Sequence, residues 1–237
     1  MEILAGGTLA LLADGGHSVT IAIFTPGDCG SHDLGPAEIA AVRRREAASA
    51  AARIGAKYLC LEMRDLTIFN DDTSRRRVTD VLRRTSPQIV LAPSPVDYLC
   101  DHEAASALVR DACFAAPLPN YRTGSAPIDA IPHLYFMDPI GGRDRENRVV
   151  RPDFVVDVHA AFERKRQMLA EHTSQREWLR RHHGVDEYLQ EMERWTLERG
   201  ALAGVPHGEG FRQYRGHPYP QTPLLEDLLS GAAIGLP

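Results

Sequence analysis

The chain has 237 residues, 43% of them hydrophobic and 25% charged, and a net charge of -5. That length suits one α/β domain with a well-buried core. The acidic balance leaves no electrostatic footprint for nucleic acid, and no apolar run approaches the roughly 20 residues of a membrane span. Arg75-Arg76-Arg77 and Arg83-Arg84 stand among polar residues of a helical pattern and read as solvated helix faces. Met1-Glu2-Ile3-Leu4 has no basic segment and does not read as a secretory signal. Cys29, Cys60, Cys100 and Cys113 match no metal or redox spacing, and a reducing cytoplasm is the simplest compartment for them. Cys60 and Cys113 lie among apolar residues and read as core side chains.

In chain order, residues 3–15 are expected to form a helix, stopped by Asp14-Gly15-Gly16. Ser18 to Phe24 alternates, with Val19, Ile21 and Ile23 on one face, and predicts a strand followed by a loop, Thr25 to Ser31. Pro36 to Ile54 predicts a helix closed by Gly55. A strand over Tyr58–Leu61, a helix over Thr73–Arg84, a strand over Ile89–Ala92 and a helix over Glu103–Phe114 follow. This strand–helix alternation with short loops predicts an α/β, Rossmann-like, mostly parallel sheet with helices on both faces. Further on, Ile131–Phe136 reads as a late strand. The polar turn Gly141 to Val150 reads as a hairpin into Phe154–Val158. Helices are expected over Ala161–His172, Ser174–Arg181 and Asp186–Arg199. The tail from Val205 is Gly/Pro-rich and ends in a helical turn over Leu224–Leu229. Residues 1–237 are thus expected to be one domain with a helical and Pro/Gly-rich extension from about residue 160.

The richest stretch is Asp97-Tyr98-Leu99-Cys100-Asp101-His102. It follows the Ile89–Ala92 strand and precedes a helix, so it falls at the C-terminal end of a strand, where open parallel sheets bind ligands. Asp and His suit zinc and similar divalent ions, although a helix cap with a surface histidine accounts equally for such a pair. Cys100 beside Asp101 and His102 is a less favoured nucleophile. Trp178, Trp195, Phe211, Tyr214 and Tyr219 can stack on sugar rings, with core or subunit contact the plainer use.

The order of motifs resembles the PIG-L/LmbE-like N-deacetylases. Glu2-Ile3-Leu4-Ala5-Gly6-Gly7-Thr8-Leu9-Ala10 is similar to the segment after that family's His-Pro-Asp-Asp signature. Thr25-Pro26-Gly27-Asp28-Cys29-Gly30 resembles its second-strand loop, and Arg43-Arg44-Arg45-Glu46-Ala47 its Arg-x-x-Glu-Ala helix. Asp97 to His102 resembles its metal loop, and Lys165 with His172-Thr173-Ser174-Gln175 its Lys…His-x-Ser-Gln segment. Met1 falls just after the signature, so its two metal ligands and its base are not present, and the first central strand of the sheet is expected to be missing. The expectation is an N-terminally truncated sequence, lacking about 10 or more residues, or else a degenerate, inactive copy.

The resemblance implies a zinc-dependent, or other divalent-metal-dependent, hydrolase that removes an acetyl group from an N-acetylated sugar or related small amide. His102 becomes the metal ligand, Asp101 and His172 catalytic candidates, and Asp28, Arg43 and Asp97 substrate contacts. Glu2 is expected to orient a ligand from behind. Asp101 can equally orient an imidazole or cap the helix. Leu99 stands where many members carry an acid histidine, and His172 and His207 are the replacements considered. Partners are then a small N-acetylated substrate and a second copy of the chain. The competing readings are a binding or interaction module that keeps the fold without the metal, and a nucleotide-dependent Rossmann enzyme. Against the last, Gly6-Gly7 opens no G-x-G-x-x-G pattern.

Overall fold

A computed structural model of the chain describes residues 1–177 and 187–236. The helices are α1 (Glu2–Asp14), α2 (Pro36–Ala52), α3 (Asp72–Thr85), α4 (Cys100–Ala115), α5 (Phe162–Ala170), α6 (Glu187–Ala203) and α7 (Leu224–Leu228), with a further helical stretch over 173–177. The strands are β1 (Thr20–Ile23), β2 (Lys57–Cys60), β3 (Ile89–Ala92), β4 (His133–Met137), β5 (Phe154–Asp157), β6 (Gly208–Gln213) and β7 (Ala233–Gly235). The mixed α/β class holds: β1 and β2 form a parallel pair, and a five-stranded sheet has the order β3-β4-β6-β5-β7. Trp178 and the end of the expected Ser174–Arg181 helix lie outside the described residues.

Contacts divide the chain into two compact units, Met1–Asp65 with Val155–Glu209 and Gly231–Pro237, and Leu66–Phe154 with Gly210–Ser230. In the first unit, β1 and β2 run in register from Thr20↔Lys57 to Ile23↔Cys60. Ala10 of α1, Ile21 of β1, Ala50 and Ala51 of α2, and Met168 of α5 form its apolar core. Alanines on α2 let it lie close, which is why a helix so rich in Ala and Arg buries one face. Gly7 serves the same end on α1. A β-carbon there would stand 2.6 Å from Cβ of Val158, so only glycine lets α1 reach that distance.

In the second unit, β3 and β4 pair in parallel from Ile89↔His133 to Ala92↔Phe136. β6 runs antiparallel to β4, with Tyr135 opposite Gln213 and Met137 opposite Phe211. Helices α3 and α4 pack together, and Leu108, Ala112 and Cys113 of α4 are fully buried. Among the described residues, β1 is hydrogen-bonded to β2 alone and β3 to β4 alone.

Two sequence expectations give way. The hairpin from the Ile131 strand into Phe154–Val158 does not form, because β6 lies between β4 and β5. The polar turn closes locally instead, through an antiparallel bridge between Arg143 and Val149. The strand that displaces it comes from the Gly/Pro-rich tail, and has no β-branched run to announce it. Its Gly210 is required by sterics, since a side chain there would strike Asp138 and Pro152. Nor is Arg83 solvated. It is 6% exposed, and its guanidinium donates to the carbonyls of Ala116 (2.9 Å) and Leu118 (2.7 Å), which answers the open C-terminus of α4.

Replacing Gly7 by Ala is expected to destabilise the protein by about 1–3 kcal/mol through overpacking against Val158. Urea unfolding of the two proteins measures this, and an unchanged midpoint would disprove the close-contact reading.

Candidate active site

The Asp97–His102 segment lies in the second unit, at the start of α4. Leu99 takes the N-cap position with no side-chain cap, so the segment's polar groups are free for other bonds. His102 Nδ1 sits 2.9 Å from Asp97 Oδ1. Asp97 is 2% exposed, and its own place is fixed twice: its N–H donates to Glu103 Oε1 (2.9 Å), and Oδ1 accepts the Leu99 N–H (3.2 Å). Arg145 in turn pairs with Glu103. A carboxylate at Nδ1 assigns the ring proton to that nitrogen and leaves Nε2 with its lone pair. This is the arrangement in which a carboxylate orients a metal-binding histidine.

Asp101 does something else. Its carboxylate accepts the N–H of Leu66 (2.7 Å) and of Ile68 (3.4 Å), fastening the 66–68 loop to the first turn of α4. The imidazole's orienting carboxylate is therefore Asp97 and not Asp101. Tyr98 is exposed, and its ring meets the His102 ring edge-on at 5.6 Å. Cys100 is also exposed, with its sulfur 3.9 Å from Asp101 Oδ1.

The other candidate residues lie in the first unit. Glu2 is buried and accepts a hydrogen bond from His172 Nε2 at 3.0 Å. Burial alone would raise its carboxyl, and the hydrogen bond from His172 opposes that rise. Two residues beyond His172, the N–H and hydroxyl of Ser174 both donate to Glu46, at 2.8 and 2.7 Å. Arg43, one helical turn before Glu46, donates to the side chain of Gln175 and to the carbonyls of Gly27 (3.1 Å) and Gly30 (2.8 Å). Positions i and i+3 share a helix face, so one face of α2 grips Ser174 and Gln175. Arg43 has only neutral acceptors in these bonds, and its Nε is buried without a protein partner. Asp28 accepts the Asp65 N–H at 2.8 Å. With Cys29 they make the three-donor group among the described residues whose ligand atoms could converge on a cation.

The structure thus brings Asp97 to His102, Glu2 to His172, and Arg43 to the 172–175 segment, and commits Asp101 to a loop. His207 stacks on Phe162 and meets His159. Phe211 stacks on Phe154, the Tyr219 hydroxyl donates to Arg110, and Arg199 lies 3.9 Å over the Trp195 ring, so these aromatics are used within the protein.

The family pattern of PIG-L, the GlcNAc-PI de-N-acetylases, matches residues 1–113. The 4-oxalmesaconate hydratase of Pseudomonas putida is 29% identical over 169 residues, 68% of this chain and 64% of that protein. The diacetylchitobiose deacetylase of Thermococcus kodakarensis is 28% identical over 176 residues, 72% of this chain and 64% of that protein. The chain therefore spans less than two thirds of the length of either curated relative. Among solved structures, the N,N'-diacetylchitobiose deacetylase from Pyrococcus horikoshii in complex with an inhibitor aligns with a TM-score of 0.77 at 26% identity, covering 94% of this chain and 84% of that one. By name, these similar proteins are deacetylases and a hydratase. The Gly6-Gly7-Thr8, Arg43–Glu46 and Asp97–His102 motifs all fall within the matched residues.

Sequence reasoning missed Glu103, which steadies Asp97, and Glu209, which joins Lys165. Glu103 follows the metal-loop motif directly and reads there only as first-turn acidity. Glu209 stands between glycines with no period to mark it.

Proposed function

We propose that this protein is a metal-dependent hydrolase that removes an acetyl group from an N-acetylated sugar or a related small amide. The single observation behind this reading is the buried Asp97 carboxylate on Nδ1 of His102, which leaves Nε2 open. The donor type and its orientation fit one ligand of a zinc-like ion. A three-donor set does not gather around His102 among the described residues, so further donors are needed to complete the coordination. When bound, such a metal lowers the pKa of its water toward about 7 and polarises an amide carbonyl.

The chain's own residues then have distinct tasks. Asp97 keeps the His102 proton on Nδ1 and the ring in place. Asp101 acts by holding the 66–68 loop rather than by moving a proton, because both its oxygens already accept amide N–H groups. His172 is the candidate acid of the first unit. Its Nε2 lies 3.0 Å from the Glu2 carboxylate, which fixes the direction of the ring. Arg43, which donates to two carbonyls and an amide, has no carboxylate in these bonds and can face a hydroxyl or anionic group of the substrate. Asp28 offers a second acceptor for hydroxyls. The diacetylchitobiose deacetylases among the relatives support an amino-sugar substrate. Cys29, Cys60, Cys100 and Cys113 are not joined in disulfides, which fits a reducing cytoplasm. No helix among the described residues is long and apolar enough to cross a membrane.

A second reading has its own support. The hydratase relative is as similar as the deacetylase, and leucine occupies position 99, where the deacetylase resemblance calls for an acid histidine. Leucine cannot protonate a leaving amine. Addition of water across a carbon–carbon double bond has no leaving amine to protonate.

Metal analysis and product detection test both readings on the intact chain. Zinc-loaded protein should release acetate from N,N'-diacetylchitobiose. His102→Ala should abolish metal retention at this position, and Asp97→Asn should weaken it about 10–100-fold. Consumption of 4-oxalmesaconate without acetate release would favour the hydratase. A folded chain that retains no metal and turns over neither substrate would replace both with a non-catalytic binding module.

A further inference from the structure

Of the Phe, Tyr and Trp side chains among the described residues, Phe69, Tyr98 and Phe114 are the exposed ones. Tyr98 stands against the candidate metal-binding histidine. Its ring centre is 5.6 Å from that of His102, with the planes at 85°. Even so, Tyr98 is 61% exposed, so a face of its ring stays open to solvent. The backbone on either side of it is fixed. Before it, the Asp97 N–H donates to Glu103 at 2.9 Å; after it, the Leu99 N–H donates to Asp97 at 3.2 Å. The Leu99 carbonyl in turn accepts the His102 N–H at 3.1 Å. A tyrosine held out from a fixed turn offers a large contact area and loses little freedom when it is covered.

The surroundings suit a neutral ligand. Leu66 is 60% exposed and is tied to the same first turn of α4, its N–H donating to Asp101 at 2.7 Å. Its φ of 63° lies in the left-handed region, which is strained for a leucine. The charges along this turn are the carboxylates of Asp97, Asp101 and Glu103, and Arg145 is paired with Glu103. An anionic ligand meets like charge here, and a neutral one does not. The face of an aromatic ring is electron-rich and attracts C–H groups, which a pyranose ring presents on one side. The spacing of the imidazole and phenol rings is about the width of one such ring. A sugar whose amide is bound at His102 therefore comes within reach of Tyr98.

We propose that Tyr98 is a specificity-determining residue, the stacking platform for the pyranose ring of a neutral amino-sugar substrate. The inference rests on the amino-sugar reading of the His102 site and adds the residue that selects the ring. The open face of Tyr98 makes the contact, and its hydroxyl is dispensable. Tyr98 acts on binding and moves no proton.

The test is saturation-transfer NMR on the ring protons of N,N'-diacetylchitobiose, recorded before appreciable turnover, with the intact chain, Tyr98→Phe and Tyr98→Ala. Tyr98→Ala should weaken binding about tenfold or more, and Tyr98→Phe should stay within about twofold of the unmodified chain. Saturation should pass most strongly to the protons on one side of a sugar ring, and the zinc content of the three proteins should be equal. Equal affinity in Tyr98→Ala, a loss in Tyr98→Phe as large as in Tyr98→Ala, or no binding by the unmodified chain would overturn the proposal. So would loss of zinc confined to Tyr98→Ala, since the ring would then be positioning His102. Failure of every chain to hold zinc or release acetate, with the order of affinities intact, would sink the hydrolase reading and still support the platform.

Discussion

The first unit depends on one buried ion pair. Lys165 on α5 and Glu209 in β6 meet at 2.8 Å with both side chains almost wholly out of solvent. Neither could be placed there alone, because an unpaired charge in the interior is several kcal/mol unfavourable. Burial pushes the Lys165 ammonium down, and the carboxylate opposes that shift. The remaining valences are also filled. Lys165 donates to the Thr196 hydroxyl at 2.9 Å, and Thr196 donates to the Met192 carbonyl at 2.7 Å. Glu209 accepts the amides of Gly7 (2.8 Å) and Thr8 (2.7 Å). One charge pair therefore joins α1, α5, α6 and β6. It also explains the small residues of α1, since Gly6 lies against the Lys165 stem and Gly7 against Val158.

The same logic recurs nearer the candidate site. Each polar motif is held by a second polar group. Asp97 fixes His102 and is itself fixed by Glu103; Glu46 fixes Ser174, and Arg43 fixes Gln175. Such networks set geometry more than they add net stability, because each bond in the folded chain replaces one to water. Their contribution is position, which is what metal binding and proton transfer require.

Much of this was legible in the sequence, and for identifiable reasons. β3 is announced by Ile89-Val90-Leu91 and matches its expected bounds, and α2 by its Ala-rich stretch after Pro36. These elements are specified locally. β6 was not legible, because Gly208 to Gln213 has no β-branched run and gains its place only from neighbours distant in the chain. Arg83 misled for the same reason: its neighbours in sequence are polar, yet its partners are carbonyls more than 30 residues away. At the site, residue types were readable and pairings were not. Asp97 and Asp101 are equivalent as text. Only the fold turns one toward the imidazole and the other toward Leu66 and Ile68.

The one-sided strands carry a practical consequence for handling the protein. Among the described residues β1 is hydrogen-bonded to β2 alone, and Ala22 at its middle is exposed. An unpaired strand edge is a template for capture by another chain. Concentrated samples should therefore tend toward fibrous or amorphous precipitation well before the core is threatened. A single gatekeeper lysine in place of Ala22 is the natural remedy, since a charge in the middle of an open strand discourages uninvited pairing.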